Sequence, residues 1–389
     1  MANELRFVVK KRFPKGAVID ASLETDVAKR PSVTVLFGPS GSGKTTILRS
    51  LAGLEQPDSG FIHFRGQIWF DADCGISLSP QQRRIGFLSQ EFALFPHLTV
   101  SQNLRYGLGG KTRFTRDRRV AALASLFEIE KLLARYPREL SGGQVQRVAL
   151  ARTVAPEPEL LLLDEPLSAL DDPTRNRLRT ELRRLLNRIE IPALLVTHDR
   201  TEAIVLGDRL AVVIEGKIQQ TGSVEEVFNR PANCLVANSM GVESVLPGRI
   251  VGSANGLVAV QAKDVRLSAV DPGDLLSLDV YVCIRAEEVM LSRTVGAEES
   301  ARNHLSGTIV SIVPEGPLVR VSIDCGIPLV AFVTKPSRDE LNLKTGDTIV
   351  AVVKATSVHL IPRTPGLALE ETNRSTREAH KGESATTSA

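Results

Sequence analysis

The stretch VTVLFGPSGSGKT at residues 33–45 decides the fold of this 389-residue chain. An apolar run, predicted as a strand over Ser32–Phe37, leads into a glycine-rich turn, and a helical pattern follows over Thr45–Ala52. This order of strand, loop and helix is the context in which G-x-x-x-x-G-K-[ST] binds phosphate. Glycines let successive backbone N–H groups face phosphate oxygens, and the helix adds its positive N-terminal end. The stretch therefore predicts a nucleotide site in an α/β domain.

The side chains of this site follow from the same pattern. Lys44 is expected to reach the β- and γ-phosphates, and the Thr45 hydroxyl is expected to ligate Mg²⁺. The predicted nucleotide-binding residues are Gly38, Pro39, Ser40, Gly41, Ser42, Gly43, Lys44, Thr45 and Thr46. Downstream, the apolar run Leu160–Leu163 ends in Asp164 and Glu165, which suits a Mg²⁺ ligand followed by a base for the attacking water.

A second anion site is predicted between these two motifs. It consists of Ser141, Gly142, Gly143 and Gln144, at the start of the helical pattern Gln144–Ala155. A hydroxyl, unobstructed backbone N–H groups and a helix N-terminus meet there. Because Ser-Gly-Gly alone is usually only a loop, this prediction depends on its position in the chain.

The pattern of the chain changes after Pro231. Before it, short apolar runs alternate with helical patterns, which predicts an α/β core whose sheet is covered on both faces. Beyond about residue 240, β-rich runs between turns predict a small all-β domain, and SVLPGRIV at Ser244–Val251 is echoed by NHLSGTIV at Asn303–Val310. We expect a nucleotide-binding domain over 1–235 with a helical subdomain at about 90–155, a duplicated OB-like domain over 240–363, and a disordered tail over 364–389.

Composition bounds the partners and the compartment. A net charge of +3 and an aromatic fraction of 4% argue against a nucleic-acid partner, since single-strand binders stack bases on aromatic rings. The four cysteines have no C-x-x-C spacing, which favours a reducing compartment. No apolar run approaches the ~18 residues of a membrane span, and Met1–Lys11 lacks the apolar core of a signal peptide. We expect a cytoplasmic protein that serves a membrane only through a partner.

Taken in order, the motifs resemble those of the nucleotide-binding subunits of ATP-binding cassette (ABC) transporters, over roughly residues 3–235. The order is the phosphate loop, Gln90 after Phe87-Leu88-Ser89, LSGGQ at 140–144, Asp164-Glu165, Ser168-Ala169-Leu170-Asp171, and His198 after Thr197. The resemblance implies that Glu165 polarises the lytic water, that His198 contacts the γ-phosphate, and that Gln90 senses Mg²⁺ and water.

The resemblance also implies the cofactor and the assembly. ATP and Mg²⁺ would be bound, with Thr45, Gln90 and Asp164 around the metal. Phe13, or alternatively Phe7, would stack on adenine. Ser141 and its neighbours would bind the γ-phosphate of ATP held by a second copy, with Asp171 at the seam, so that hydrolysis requires a head-to-tail homodimer. Such dimers serve two integral-membrane permease subunits, fed by an external solute-binding protein, at the cytoplasmic face of the bacterial plasma membrane.

Two segments of the β domain resemble the ends of a molybdate-binding module, Ser300–Gly307 and Val353–Val358. The donors that they offer to a tetrahedral dianion such as molybdate or tungstate are Arg302, Lys354, Ser300, Asn303 and Thr356. The first repeat has Glu243 and Glu287 at matching positions, and carboxylates repel anions. Only the second repeat is therefore predicted to bind, for feedback on uptake.

Other interpretations stay open. The β domain could serve packing alone, and importers of sulfate, ferric iron, polyamine or sugar share the motifs of the first 235 residues. A soluble ABC ATPase of DNA repair or translation usually has two cassettes or a long coiled coil, which this sequence lacks. An oxyanion store with a vestigial ATPase is opposed by the intact Lys44, Asp164 and Glu165.

Overall fold

The computed structural model describes residues 4–14, 16–27, 32–109, 112–168, 172–273, 277–294 and 300–363, with only the backbone at 172–174. The chain divides into two compact units between Met240 and Gly241. Asp171 and the tail predicted over 364–389 lie outside the described residues.

The elements of the first unit alternate as the sequence predicts. Its strands are β1 (Glu4–Arg12), β2 (Val18–Asp26), β3 (Val33–Phe37), β4 (Ser59–Phe64), β5 (Gln67–Asp71), β6 (Ile76–Ser77), β7 (Ile85–Leu88), β8 (Leu160–Asp164), β9 (Ala193–Thr197), β10 (Arg209–Ile214) and β11 (Lys217–Ser223). Its helices are α1 (Lys44–Ala52), α2 (Val100–Tyr106), α3 (Arg113–Leu126), α4 (Gly142–Val154), α5 (Asp172–Ile189), α6 (Arg200–Leu206), α7 (Val224–Asn229) and α8 (Cys234–Ser239).

The central sheet has the order β11-β10-β3-β9-β8-β7, and the strands from β10 to β7 are parallel. Successive residues of β8 enter two different apolar clusters. Leu161 and Leu163 pack with side chains of α4 and α5, whereas Leu160 and Leu162 pack with side chains of α1. The prediction of a sheet covered on both faces is confirmed.

A second sheet of the first unit, β2-β1-β4-β5-β6, was not predicted. In β1, Leu5, Phe7 and Val9 are buried, and the alternating positions Arg6, Val8 and Lys10 are exposed or half-buried. This period of two is typical of an antiparallel strand with one solvated face, and it lacks the continuous apolar run by which the parallel strands were recognised.

The second unit consists mainly of strands. They are β12 (Ser244–Ala254), β13 (Leu257–Ala262), β14 (Val265–Val270), β15 (Asp279–Ile284), β16 (Met290–Ser292), β17 (Asn303–Glu315), β18 (Leu318–Asp324), β19 (Pro328–Thr334), β20 (Thr348–Val353) and β21 (Val358–Pro362). The predicted all-β region also contains one short helix, α9 (Lys335–Glu340), which begins where the Thr334 hydroxyl accepts a hydrogen bond from Ser337 N. Six residues are too few for a helical period to appear in the sequence.

The two repeats of this unit exchange their last strands. One sheet has the order β14-β13-β12-β15-β21 and the other β19-β18-β17-β20-β16. The first four strands of each order come from one repeat, and the fifth comes from the other. The apolar sides of both sheets contribute to a single core. The repeats therefore form one interlocked domain.

A buried cation holds the C-terminal end of α1. Arg83 is 2% exposed, and its Nη1 donates to the carbonyls of Ser50 and Leu51 at 2.7 and 2.8 Å. Burial lowers the pKa of Arg83 to about 10. The guanidinium supplies donors to helix carbonyls that have no partner within the helix.

We expect Arg83→Met to lower the free energy of unfolding of the first unit by about 2 kcal/mol, because the Leu51 carbonyl loses its donor and the Ser50 carbonyl keeps only the N–H of Gly53. Denaturant titration followed by fluorescence measures this, since Trp69, the single tryptophan, is fully buried in the same unit. Arg84→Met is the matched control, because its exposed ion pair with Glu159 is worth less than about 1 kcal/mol. Equal losses in the two variants would contradict this assignment.

Candidate nucleotide site and candidate anion site

The carboxyl ends of four neighbouring parallel strands bring the motifs together. The strands β3, β9, β8 and β7 lead, in that order, into Gly38, His198, Glu165 and Ser89-Gln90. The strands end in register, because Phe37 is paired with Thr197 and Asp164 with Val196. Open α/β sheets bind ligands at this edge.

The loop after β3 needs glycine at two positions for different reasons. A Cβ at Gly38 would lie 2.0 Å from the carbonyl oxygen of Val213, so no larger residue fits. Gly43 precedes α1 with φ of 99°, a left-handed conformation that side chains disfavour. The loop thus turns tightly onto the N-terminus of α1.

Lys44 is the first residue of α1, and its side chain, 4% exposed, extends into this loop. Its Nζ donates to the carbonyls of Gly38 and Pro39 at 2.9 and 2.7 Å. Burial lowers the pKa of Lys44, and the nearby carboxylates Glu165 and Asp164 oppose that shift. The ammonium group is therefore held against the loop backbone at the place where phosphates are expected.

Thr45 and Asp164 place two oxygen ligands side by side. Thr45 Oγ1 donates to Asp164 Oδ1 at 3.0 Å, and Asp164 is 6% exposed. Burial raises the pKa of Asp164, while the hydrogen bond from Thr45 lowers it. A buried carboxylate beside a hydroxyl fits Mg²⁺, which prefers oxygen ligands. The described residues contain no cluster of three or more His, Cys, Asp or Glu side chains that could hold a metal.

Glu165 is the centre of a small polar network. Its Oε1 lies 3.1 Å from His198 Nδ1, and its Oε2 accepts a hydrogen bond from Gln90 Nε2 at 3.4 Å. Its φ of 44° is unusual for a non-glycine residue, and its N–H donates to the carbonyl of Val196. Two predicted catalytic residues, His198 and Gln90, thus contact the carboxylate of the third, Glu165.

The LSGGQ segment lies at the N-terminus of α4. Ser141 is exposed and precedes the helix, and Gln144 Oε1 accepts a hydrogen bond from Ser141 N at 3.0 Å. Within the described part of the chain, no hydrogen bond or ion pair connects Ser141, Gly142, Gly143 or Gln144 with the phosphate loop. Among these residues of one copy, the two predicted phosphate-binding segments are therefore not joined by a polar contact.

The two candidates for the adenine-stacking ring differ in access. Phe7 is fully buried in the apolar core, so the alternative that it stacks on adenine is wrong. Phe13 follows β1 and is half-buried, with Lys11 Nζ 5.9 Å from its ring centroid. Phe13 remains the prediction.

One ion pair beside His198 was missed by the sequence analysis. Arg179 on α5 donates to Asp199 Oδ2 at 2.9 Å, and Asp199 Oδ1 accepts from Glu202 N at the start of α6. The spacing of Asp199 and Glu202 is a helix-start signal that was available in the sequence. The partner on α5 was not, because the two residues meet only in the fold.

In the β domain, the candidate anion residues lie at the end of one ladder. Asn303 is paired with Val353, so Arg302 and Lys354 come one position beyond the last pair, on adjacent strands. Arg302, Lys354, Ser300 and Thr356 are exposed. Ser244 and Ile284 form the corresponding pair in the first repeat, which places Glu243 and Arg285 at the matching positions.

Asn303 does not fit the prediction that its amide binds an oxyanion. It is 3% exposed, and its Nδ2 donates to the carbonyls of Ser268 and Val353 at 3.0 and 3.1 Å. Its Oδ1 accepts from Ser268 N at 2.6 Å. Because both N–H groups of the amide are used, Asn303 connects the two sheets and has no donor left for a ligand.

No helix in the described ranges combines the length and the apolar character that a membrane crossing requires.

Comparison with known proteins places the chain. The sequence model of the ABC transporter family matches residues 26–168, and that of the TOBE domain matches residues 299–360. The molybdate/tungstate import ATP-binding protein WtpC of Pyrococcus abyssi is 36% identical over 90% of this chain and 97% of its own length. The molybdenum import ATP-binding protein ModC of Mesorhizobium japonicum is 36% identical over 90% and 96%. The sulfate/thiosulfate import ATP-binding protein CysA of Burkholderia mallei is 38% identical, also over 90% and 96%.

These similarities extend through both units, and the parallel sheet, the phosphate loop and the second, β-rich unit agree with them. The chain belongs to the ABC transporter family, as an ATP-hydrolysing subunit of the import type that carries a C-terminal TOBE domain.

Proposed function

We propose that the chain powers the import of a tetrahedral oxyanion, molybdate first and tungstate next, by hydrolysing MgATP in a head-to-tail homodimer. The cargo assignment depends on one observation: the cations Arg302 and Lys354 come together at the end of a ladder where the first repeat carries a carboxylate. Two of the relatives described above, which are named for molybdate, molybdenum or tungstate, support it.

The residues of the nucleotide site have distinct roles in this proposal. Lys44 exchanges its loop carbonyls for the β- and γ-phosphates, whose charge is the stronger partner for a buried ammonium group. Thr45, Asp164 and Gln90 would hold Mg²⁺, which neutralises phosphate charge when bound. Glu165 accepts a proton from the attacking water, while His198 and Gln90 hold its carboxylate in place.

A second copy of the chain supplies Ser141 to this site. The LSGGQ segment at 140–144, called the signature segment below, shares no hydrogen bond or ion pair with its own phosphate loop among the described residues. Two such subunits would dock on two permease subunits at the cytoplasmic face of a bacterial plasma membrane. The permease-facing surface would include Phe95, whose ring lies 4.4 Å from that of Tyr106, a residue 67% exposed. A solute-binding protein would deliver the anion from outside.

The first repeat indicates where an anion would lie in the second. There, the Glu243 carboxylate accepts a hydrogen bond from Ala286 N at 2.9 Å, at the start of a short 3-10 turn over Ala286–Glu288. The matching turn of the second repeat is Ala355–Ser357. Arg302 replaces Glu243 there, so this position offers a cation beside the Ala355 N–H instead of a carboxylate. An external oxyanion would take the place of that carboxylate, with Arg302, Lys354, Ser300 and Thr356 as donors.

Sulfate is the competing cargo, because it is also a tetrahedral dianion and a sulfate importer subunit is equally similar to this chain. The same donors could serve it. Size and hydration, rather than charge, would have to separate the two anions.

Calorimetric titration of the full chain with molybdate, tungstate and sulfate tests the cargo. We expect molybdate and tungstate to bind at least about tenfold more tightly than sulfate. Arg302→Glu should weaken molybdate binding by at least about a hundredfold, because it restores the carboxylate of the first repeat. Glu243→Gln, the same position in the first repeat, is the control and should bind normally. Tighter binding of sulfate would transfer the proposal to sulfate, and an absence of binding would remove its main support.

A further inference from the structure

The turn that follows Gln90 has an unfavourable backbone. Phe92 and Ala93 have φ of 57° and 44°, two consecutive non-glycine residues in the left-handed region. Ala93 N donates to the carbonyl of Glu91 at 2.6 Å, so the turn is also very tight. Such conformations cost about 1 kcal/mol or more each and persist only where the surroundings hold them.

Arg152 on α4 holds this turn. Its Nη1 donates to the carbonyl of Ala93 at 2.8 Å and its Nη2 to the carbonyl of Phe92 at 3.0 Å. Its guanidinium also lies over the ring of Phe95, 5.3 Å from the centroid. A planar group with two fixed donors matches two successive carbonyls in a way that a lysine cannot.

A second buried side chain fixes the segment further along. Asn103 on α2 is fully buried, accepts a hydrogen bond from Phe95 N at 3.0 Å, and donates to the carbonyl of Phe95 at 3.2 Å. The segment is therefore anchored to α2 after the turn, whereas the turn itself, the part next to Gln90, is anchored to α4.

Helix α4 is also connected with two other motifs. Its N-terminus carries Ser141 and Gly142, and Gln146 Nε2 donates to the carbonyl of Pro166, the residue after Glu165. From Gly142 to Arg152 the helix is continuous and spans about 15 Å. A displacement of the signature segment would thus be transmitted along α4 to the turn beside Gln90.

We propose that Arg152 is the positioning residue that sets Gln90 at the metal site, and that α4 thereby couples the signature segment to the metal site. Arg152 touches neither nucleotide nor metal in this scheme and acts through the Phe92-Ala93 turn. The inference rests on the proposed role of Gln90 as a Mg²⁺ ligand.

The experiment compares Arg152→Met with Arg119→Met in the full chain. Arg119 on α3 donates to the carbonyl of Val154 at 3.2 Å, near the same end of α4, and has no hydrogen bond with the turn. We expect Arg152→Met to raise the Mg²⁺ concentration for half-maximal ATPase by about five- to tenfold, because Gln90 is no longer held in place. Binding of a fluorescent ATP analogue without Mg²⁺ should be unchanged, and Arg119→Met should change neither value. Arg152→Lys should give an intermediate Mg²⁺ concentration for half-maximal ATPase, because lysine retains the positive charge but lacks the two fixed donors of the guanidinium group.

A loss of thermal stability in Arg152→Met with an unchanged Mg²⁺ dependence would overturn the proposal, because it would make Arg152 a structural residue only. Combining it with Gln90→Ala provides a second test. If Arg152 acts through Gln90, the double variant should have the Mg²⁺ dependence of Gln90→Ala alone, and additive effects would overturn the proposal.

The single Gln90→Ala variant distinguishes a failure of the proposed role of Gln90 from a failure of the inference about Arg152. If it leaves the Mg²⁺ dependence unaltered, the assigned role of Gln90 fails and the inference fails with it. If Gln90→Ala is impaired and Arg152→Met is normal, only the inference fails.

Discussion

A Glu165→Gln variant is expected to bind MgATP with the parent affinity and to hydrolyse it about a thousandfold more slowly. Glutamine has the shape of glutamate and can keep polar contacts with His198 and Gln90, but an amide does not accept the proton of the attacking water. Single-turnover hydrolysis measures the rate, and equilibrium binding measures the affinity. Because the ATP bound between the two copies is not hydrolysed, the variant should also stay a dimer with ATP in size-exclusion chromatography.

Glu202→Gln is the matched control for this substitution. Glu202 is 3% exposed, accepts a hydrogen bond from Thr197 Oγ1 at 2.6 Å and lies near the same edge of the sheet. Burial raises the pKa of Glu202, and a glutamine amide oxygen at this position can still accept the hydrogen bond from Thr197 Oγ1. The Glu202→Gln variant should therefore keep most of the ATPase activity of the parent chain. Hydrolysis by Glu165→Gln within about tenfold of the parent rate would show that another group is the base.

Mixed dimers are expected to recover activity that neither inactive variant has alone. Lys44→Ala removes the phosphate ligand of the loop, and Ser141→Arg blocks the signature segment. In a mixed dimer, the intact Lys44 of one copy faces the intact Ser141 of the other, which leaves one complete site. Since half of randomly assembled dimers are mixed, equimolar mixing should restore about a quarter of the parent ATPase rate.

The arrangement of the substitutions provides the control. When the double variant Lys44→Ala/Ser141→Arg is mixed with the parent chain, mixed dimers contain no complete site, so they should add no activity. Differently tagged chains verify that mixed dimers form. If verified mixed dimers of the single variants stayed inactive, the head-to-tail arrangement would be refuted.

Most of the nucleotide site was predictable from local sequence. The loop, Glu165 and His198 each follow a strand of five residues, and Asp164 is the last residue of one of them. Parallel strands align their carboxyl ends without further information. The predicted limits Ser32–Phe37, Thr45–Ala52 and Gln144–Ala155 agree with β3, α1 and α4 to within two residues, because apolar runs and helix-start residues define them.

Other features depend on pairing between distant segments, which local patterns do not contain. The clamp of Arg152 on Phe92 and Ala93 joins residues about 60 positions apart, and its arginine is one of many in the chain. Asn303 shows the opposite error. Its amide suited an anion by chemistry alone, but the fold uses every N–H of that amide between strands.

By itself, the sequence determined the α/β class, the phosphate loop, the order of the motifs and the duplication of the β domain, because these depend on residue types at short spacing. Only the tertiary structure decided that Glu165 connects Gln90 with His198 and that the repeats exchange β16 and β21. The reason is that contact between remote segments is fixed by strand pairing and by the packing of buried side chains, which involve the whole chain at once.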